Sequence, residues 1–130
     1  MVDTNIIISA SLFPETVVGM VFTHILKNNQ LVLSQYTLDE LKKVFQKKFP
    51  KRIEFLNIFL EKLKYEHVDI KIKDPKNYPQ IRDIKDTPLL AHAIESKVHI
   101  LVTGDKDFKE IIVKDLKIIN PRKYIEEYVN

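Results

Sequence analysis

Apolar positions change their period several times along the chain, and each change marks an element. Asn5-Ile6-Ile7-Ile8 is a β-branched run behind Asp3 and Thr4. After Pro14 and Glu15, Val17, Val18, Val21, Phe22, Ile25 and Leu26 recur at helical spacing until Asn28-Asn29, which predicts a helix. Leu31-Val32-Leu33 is a short continuous apolar run, the pattern of a strand buried on both faces. Thr37 reads as the N-cap of a helix that carries Leu38, Leu41, Val44 and Phe45 and that Pro50 stops. Ile53, Leu56, Phe59, Leu60 and Leu63 mark the next helix.

Val68, Ile70 and Ile72 alternate with Asp69 and Lys71, which is strand periodicity. Residues 73–82 carry Pro75 and Pro79 and read as a loop. Thr87-Pro88 reads as a cap followed by proline at the first helical position, with Leu89, Leu90, Ala93 and Ile94 on the inner face. His99-Ile100-Leu101-Val102 is a second buried strand, closed by Thr103-Gly104-Asp105. A short helix is expected around Phe108–Ile112, then a strand at Ile118-Ile119, then a last helix from Pro121 through Tyr128. Helices alternating with short apolar strands imply an α/β fold with a mostly parallel central sheet covered on both faces, a three-layer α/β/α arrangement. With no internal repeat or linker, residues 1–130 are expected to form one domain.

Composition narrows the chemistry. The chain has no cysteine, which excludes disulfides, thiolate zinc sites and cysteine nucleophiles. Its two glycines, Gly19 and Gly104, stand far apart, so neither a P-loop nor a dinucleotide fingerprint fits. The four histidines, His24, His67, His92 and His99, show no zinc-ligand spacing. Lys and Arg number 21 against 18 Asp and Glu, a net charge of +3, which permits nucleic-acid binding without demanding it. No apolar run approaches the roughly 20 residues of a membrane span. The N-terminus lacks the basic region of a secretory signal. The expectation is a cytoplasmic protein with no membrane association.

In open α/β sheets, sites form beyond the carboxyl ends of the strands, so acids just after the apolar runs matter most. Asp3 precedes the first helix, Glu40 lies a short step past the Leu31–Leu33 strand, Asp86 precedes the Thr87-Pro88 helix start, and Asp105 follows the strand 99–102. Gathered carboxylates repel one another and persist where a hard divalent cation neutralises them. Each also has a plainer reading. Asp3 would serve as a helix cap, Glu40 as the capping-box partner of Thr37, Asp86 as a solvated loop residue, and Asp105 as turn chemistry. Spacing alone does not bring the four together.

The ordered series Asp3-Thr4-Asn5, Ser34 with Glu40-Leu41, Arg82-Asp83-Ile84-Lys85-Asp86, and Leu101-Val102-Thr103-Gly104-Asp105-Lys106-Asp107-Phe108 resembles the PIN-domain family. It looks most like the branch of toxin components of toxin–antitoxin systems, and the ending Ile118-Ile119-Asn120-Pro121-Arg122-Lys123-Tyr124-Ile125 is similar too. The resemblance implies a nuclease. Asp3, Glu40, Asp86 and Asp105 match the family's acidic quartet, which holds Mg²⁺ or Mn²⁺ and carries catalysis. Asn5 and Thr103 match supporting polar positions, and Asp107 and Asp83 stand as accessory acids. The implied reaction is metal-assisted attack of water on an RNA phosphodiester, leaving a 5′-phosphate and a 3′-hydroxyl. Relatives carry several apolar residues before the first acid where this chain has only Met1 and Val2. Either the first strand is very short or part of it lies outside this chain. Relatives also often carry Asp or Asn at the position of Thr87, which is read as the helix cap with Asp86 as the ligand.

Lys42, Lys43, Lys47 and Lys48 follow Glu40 closely, with Phe45 between them. Basic residues at the rim of an acidic site would hold the RNA backbone; the plainer reading is a solvated helix face. The expected partners are an RNA substrate, an antitoxin protein and a second copy of the chain. Two rivals stand beside the nuclease. One is a PIN fold kept as a non-catalytic RNA- or protein-binding scaffold. The other is a phosphotransfer domain, against which Asn5 counts, since such enzymes usually carry a second Asp two residues after the nucleophile.

Overall fold

The computed structural model of the protein describes residues 1–129. Six helices and four strands follow one another: α1 (Thr4–Leu12), α2 (Val17–Asn28), β1 (Val32–Ser34), α3 (Gln35–Lys48), α4 (Ile53–Lys62), β2 (Glu66–Val68), α5 (Thr87–Glu95), β3 (Ile100–Val102), β4 (Lys117–Ile119) and α6 (Pro121–Tyr124). The β-branched run behind Asp3 is helical. The Asp3 carboxylate accepts from the Ile6 amide at 2.9 Å and so caps α1, while burial of Ile6, Ile7 and Ala10 outweighs the modest β-preference of isoleucine.

Several elements depart from the expected bounds, each for a local reason. Helix α3 starts at Gln35 and its cap is Ser34, whose hydroxyl accepts from the Thr37 amide at 3.2 Å. Thr37 is therefore the capped residue, and Glu40 lies in the second turn, outside any capping box. Strand β2 ends at Val68 instead of running to Ile72, because its partner β1 ends at Ser34, opposite Val68. Helix α5 starts at Thr87 with Asp86 at the cap position and no side-chain cap bond, so Pro88 is the second helical residue. The helix expected around Phe108–Ile112 is a single 3₁₀ turn, Lys106–Phe108, capped by Asp105 and closed where Phe108 enters the core. The final helix changes to a π-type turn at Ile125–Val129.

Among the described residues all strand pairing is parallel except for one isolated antiparallel bridge, Val113 with Leu116. It forms two pairs, β1 with β2 and β3 with β4, instead of one continuous ladder. Met1, Val2 and Asp3 run beside β3 as a minimal strand. The Val102 amide donates to the Met1 carbonyl at 2.9 Å, the Asp3 amide donates to the Val102 carbonyl at 3.2 Å, and Val2 bridges Val102. A hollow of about 290 Å³, lined among others by Met1, Val32, Glu66 and Ile100, lies between the two pairs.

Side chains alternate across the strands, as period two requires. Val2, Leu33, Val102 and Ile119 join one apolar cluster with α1, α2, α3, α4 and Tyr124. Met1, Val32, Leu101 and Ile118 face the other way, against Leu90 and Ala93 of α5 and Phe108. Both faces of β1, β3 and β4 are thus covered, which is the layered α/β arrangement, while β2 leaves Glu66 and His67 exposed. Among the described residues no single helix is long and apolar enough to cross a membrane.

Candidate active site

Asp3, Glu40, Asp86 and Asp105 line one cleft of about 210 Å³, together with Thr4, Asn5, Tyr36, Lys85 and Thr103. Four separate segments supply the carboxylates. Asp3 stands where the first extended segment turns into α1, and Asp105 just past the end of β3. Glu40 projects from α3 one turn beyond Tyr36, and Asp86 closes the 3₁₀ turn Ile84–Asp86 ahead of α5. The cleft therefore opens at the carboxyl ends of the strands, where the loops of a parallel sheet gather.

Thr103 joins the two acids nearest β3. Its hydroxyl donates to Oδ2 of Asp3 at 2.5 Å and accepts from the Asp105 amide at 3.2 Å. Asp3 is buried, and burial raises its carboxyl above the usual range. The Thr103 hydroxyl and the Ile6 and Gly104 amides partly offset that rise. Asn5 lines the cleft with an exposed side chain, while the hydrogen bonds to Asp3 come from Thr103 and the backbone. Asp105 accepts from the Asp107 amide at 2.9 Å, so its turn-capping role coexists with its place in the cleft.

Asp86 differs from its neighbours. Its Oδ2 is buried and has no hydrogen-bond partner. Burial first, then the adjoining Asp105 carboxyl and the charges of Asp83 and Asp107, push its carboxyl up to about 6. One oxygen from each of Asp83, Asp86 and Asp107 lies within 4.8 Å of the others. Asp83 itself accepts from the Lys85 amide at 3.0 Å, and Arg82 pairs with Asp107 at 2.8 Å.

Two residues were not singled out from the sequence. Thr4 donates its hydroxyl to Oε1 of Glu40, and the Tyr36 hydroxyl donates to Oε2 at 3.4 Å. Tyr36 stands four residues before Glu40, a helical neighbour spacing that signals contact. The Thr4 contact spans 36 residues and has no local signal. Burial and the Glu40 and Asp86 charges raise the Tyr36 phenol to about 12, so it stays protonated and donates.

The four lysines of α3 are exposed. Lys43 and Lys47 lie three and seven residues beyond Glu40 and Lys48 four beyond Val44, another cleft residue, so they extend the cleft's face of the helix. Lys42 borders a different hollow, with Leu38, Asn57, Leu60, Glu61 and Tyr65.

Parallel strands covered on both faces, with converging carboxylates beyond their ends, define a PIN domain. The chain belongs to that family, which it matches over residues 1–107. Among solved structures it is similar to a chain of VapBC2 from Rickettsia felis, determined bound to a DNA fragment from its promoter. That likeness covers 92% of this chain and 96% of the other, with a TM-score of 0.67 and 26% identity. No curated protein matches the chain.

Proposed function

We propose that the chain, as one domain over residues 1–130, is a divalent-metal-dependent endoribonuclease and the toxin half of a cytoplasmic toxin–antitoxin pair. The observation that carries this reading is the buried, partnerless Oδ2 of Asp86 in a cleft lined by three further carboxylates. Leaving such an oxygen unpaired costs about 1–3 kcal/mol, a cost that a cation would remove. The donor set is entirely hard oxygen, which suits Mg²⁺ or Mn²⁺. Asp3, Glu40, Asp86 and Asp105 would hold the ion, with Asp83 and Asp107 adding negative charge beside them. Bound there, a divalent ion supplies water activation and charge neutralisation at a phosphodiester.

The chain's own residues supply the rest. Thr103 and the Ile6 amide fix the orientation of Asp3. Lys85 on the cleft wall and Lys43, Lys47 and Lys48 along α3 offset the repulsion between the acids and an incoming RNA backbone; Lys42 would contribute from farther round the helix. The likeness to VapBC2, a two-component complex, supports an antitoxin partner and assembly into an oligomer.

Asp3→Asn tests the reading. Asparagine caps a helix about as well as aspartate but removes one charge from the site. With Mn²⁺, wild-type protein is expected to cleave labelled RNA, and EDTA or Asp3→Asn to reduce cleavage to background, while circular dichroism melting shows the variant folded and no less stable than wild type. Undiminished cleavage by the folded variant would refute the assignment. The helix- and turn-capping roles of Asp3 and Asp105 favour a second reading, a PIN fold kept as a binding scaffold. Metal-independent RNA binding without cleavage would select it.

A further inference from the structure

Glu40 receives one donor on each carboxylate oxygen, one from α1 and one from its own helix. Thr4, buried at the first position of α1, donates to Oε1. Tyr36, one turn earlier on α3, donates to Oε2 at 3.4 Å. Both donors are themselves anchored. Thr4 follows Asp3, whose amide is bonded to Val102. The Tyr36 ring stacks on His92 of α5, with centroids 5.6 Å apart and planes 15° from parallel. The His92 Nδ1 donates to the Pro88 carbonyl at 2.7 Å, two residues beyond Asp86. Glu40 is thereby tied to the segments that carry Asp3 and Asp86.

We propose that Thr4 and Tyr36 are positioning residues that pre-orient the Glu40 carboxylate for a divalent cation in the cleft. The proposal rests on the metal-site reading above. An unrestrained glutamate has three side-chain torsions to fix each time it binds an ion. One hydroxyl on each oxygen fixes them beforehand and leaves each oxygen a further lone pair for the cleft. Partners of this kind typically change metal affinity by about 10- to 100-fold when removed.

The test measures Mn²⁺ binding to metal-free protein at neutral pH, from the electron paramagnetic resonance signal of the unbound ion. Thr4→Val keeps the shape of the side chain and removes its hydroxyl. It is expected to weaken Mn²⁺ binding about 10- to 100-fold, with little change of melting temperature in EDTA. Tyr36→Phe shifts affinity the same way by less, since its contact is longer, and Thr4→Ser, which restores the hydroxyl, binds as wild type. Glu40→Gln serves as the reference and loses at least as much affinity as Thr4→Val. If Glu40→Gln weakens binding while Thr4→Val and Tyr36→Phe do not, the positioning role is wrong and the metal site stands. A Thr4→Ser protein as weak as Thr4→Val also overturns it, since the hydroxyl would not be the cause. A wild type that binds no Mn²⁺, or a Glu40→Gln protein that binds it equally well, overturns the metal site and this proposal together. Should Thr4→Val fail to fold, Tyr36→Phe decides.

Discussion

Asp86 keeps its proton in the folded protein at pH values where an unfolded chain has lost it. Its carboxyl is raised from 3.8 to about 6 by burial and by neighbouring acids. Between those values the native state holds more protons than the unfolded one, so this group makes stability fall as pH rises through that window. Above about pH 6 the destabilisation is fully present; below about pH 4 it is absent. Asp86→Asn is therefore expected to melt higher than wild type at pH 7.5 in EDTA, with the gain shrinking to nothing near pH 4. Melting curves of the two proteins that stay parallel across this range would contradict the cause assigned here. The sequence revealed such residues only in part. Asp3, Asp86 and Asp105 were legible because an acid beside a strand end or a helix start is a local signal. The orphaned oxygen of Asp86 and the Thr4 bond to Glu40 arise from contacts between distant segments, which no local pattern records.

At the scale of elements, the turn between α1 and α2 lies close against the first turn of α2. A Cβ on Gly19 would lie 2.2 Å from the Pro14 carbonyl oxygen, and backbone cannot yield as a flexible side chain does. Gly19→Ala is expected to destabilise by about 1–3 kcal/mol despite alanine's better helix propensity, read as a lower midpoint in urea with unchanged slope. The β-branched run of α1 hid its helix, but α2 and α3 were legible, because Val17 to Leu26 and Leu38 to Phe45 repeat at helical spacing. Their starts were less so. Ser34 and Thr37 both carry a capping hydroxyl, and the choice between them depends on where β1 ends. Strand β2 was misplaced for a related reason. Alternation continues to Ile72, but pairing stops when its neighbour turns into α3.

For the whole molecule, opposite charges are arranged in sequence along one path, with acids in the cleft and lysines farther along α3. If RNA follows that path, Lys47→Ala removes about one phosphate contact. Log affinity against log salt should then flatten by about 0.7 for a single strand, as filter binding across a salt series would measure. An unchanged slope would direct RNA elsewhere. Fold class was the most legible property of all, since alternating helices and short apolar strands leave few arrangements. The division of the strands into two pairs was not legible, because three-residue strands carry too little pattern to show their neighbours.

The pairing of Met1–Asp3 with β3 also bears on which parts of the cleft hold still. In deuterated buffer the Asp3 and Val102 amides, bonded between buried backbone segments, should exchange only when the sheet opens as a whole. The Lys85 and Asp107 amides rest on exposed carboxylates and should exchange through local opening. One wall of the cleft would then keep time with global unfolding and the other with its own faster clock. If the cleft takes RNA as proposed, a strand could enter by displacing the second wall alone, and Asp3 on the first would keep its place throughout.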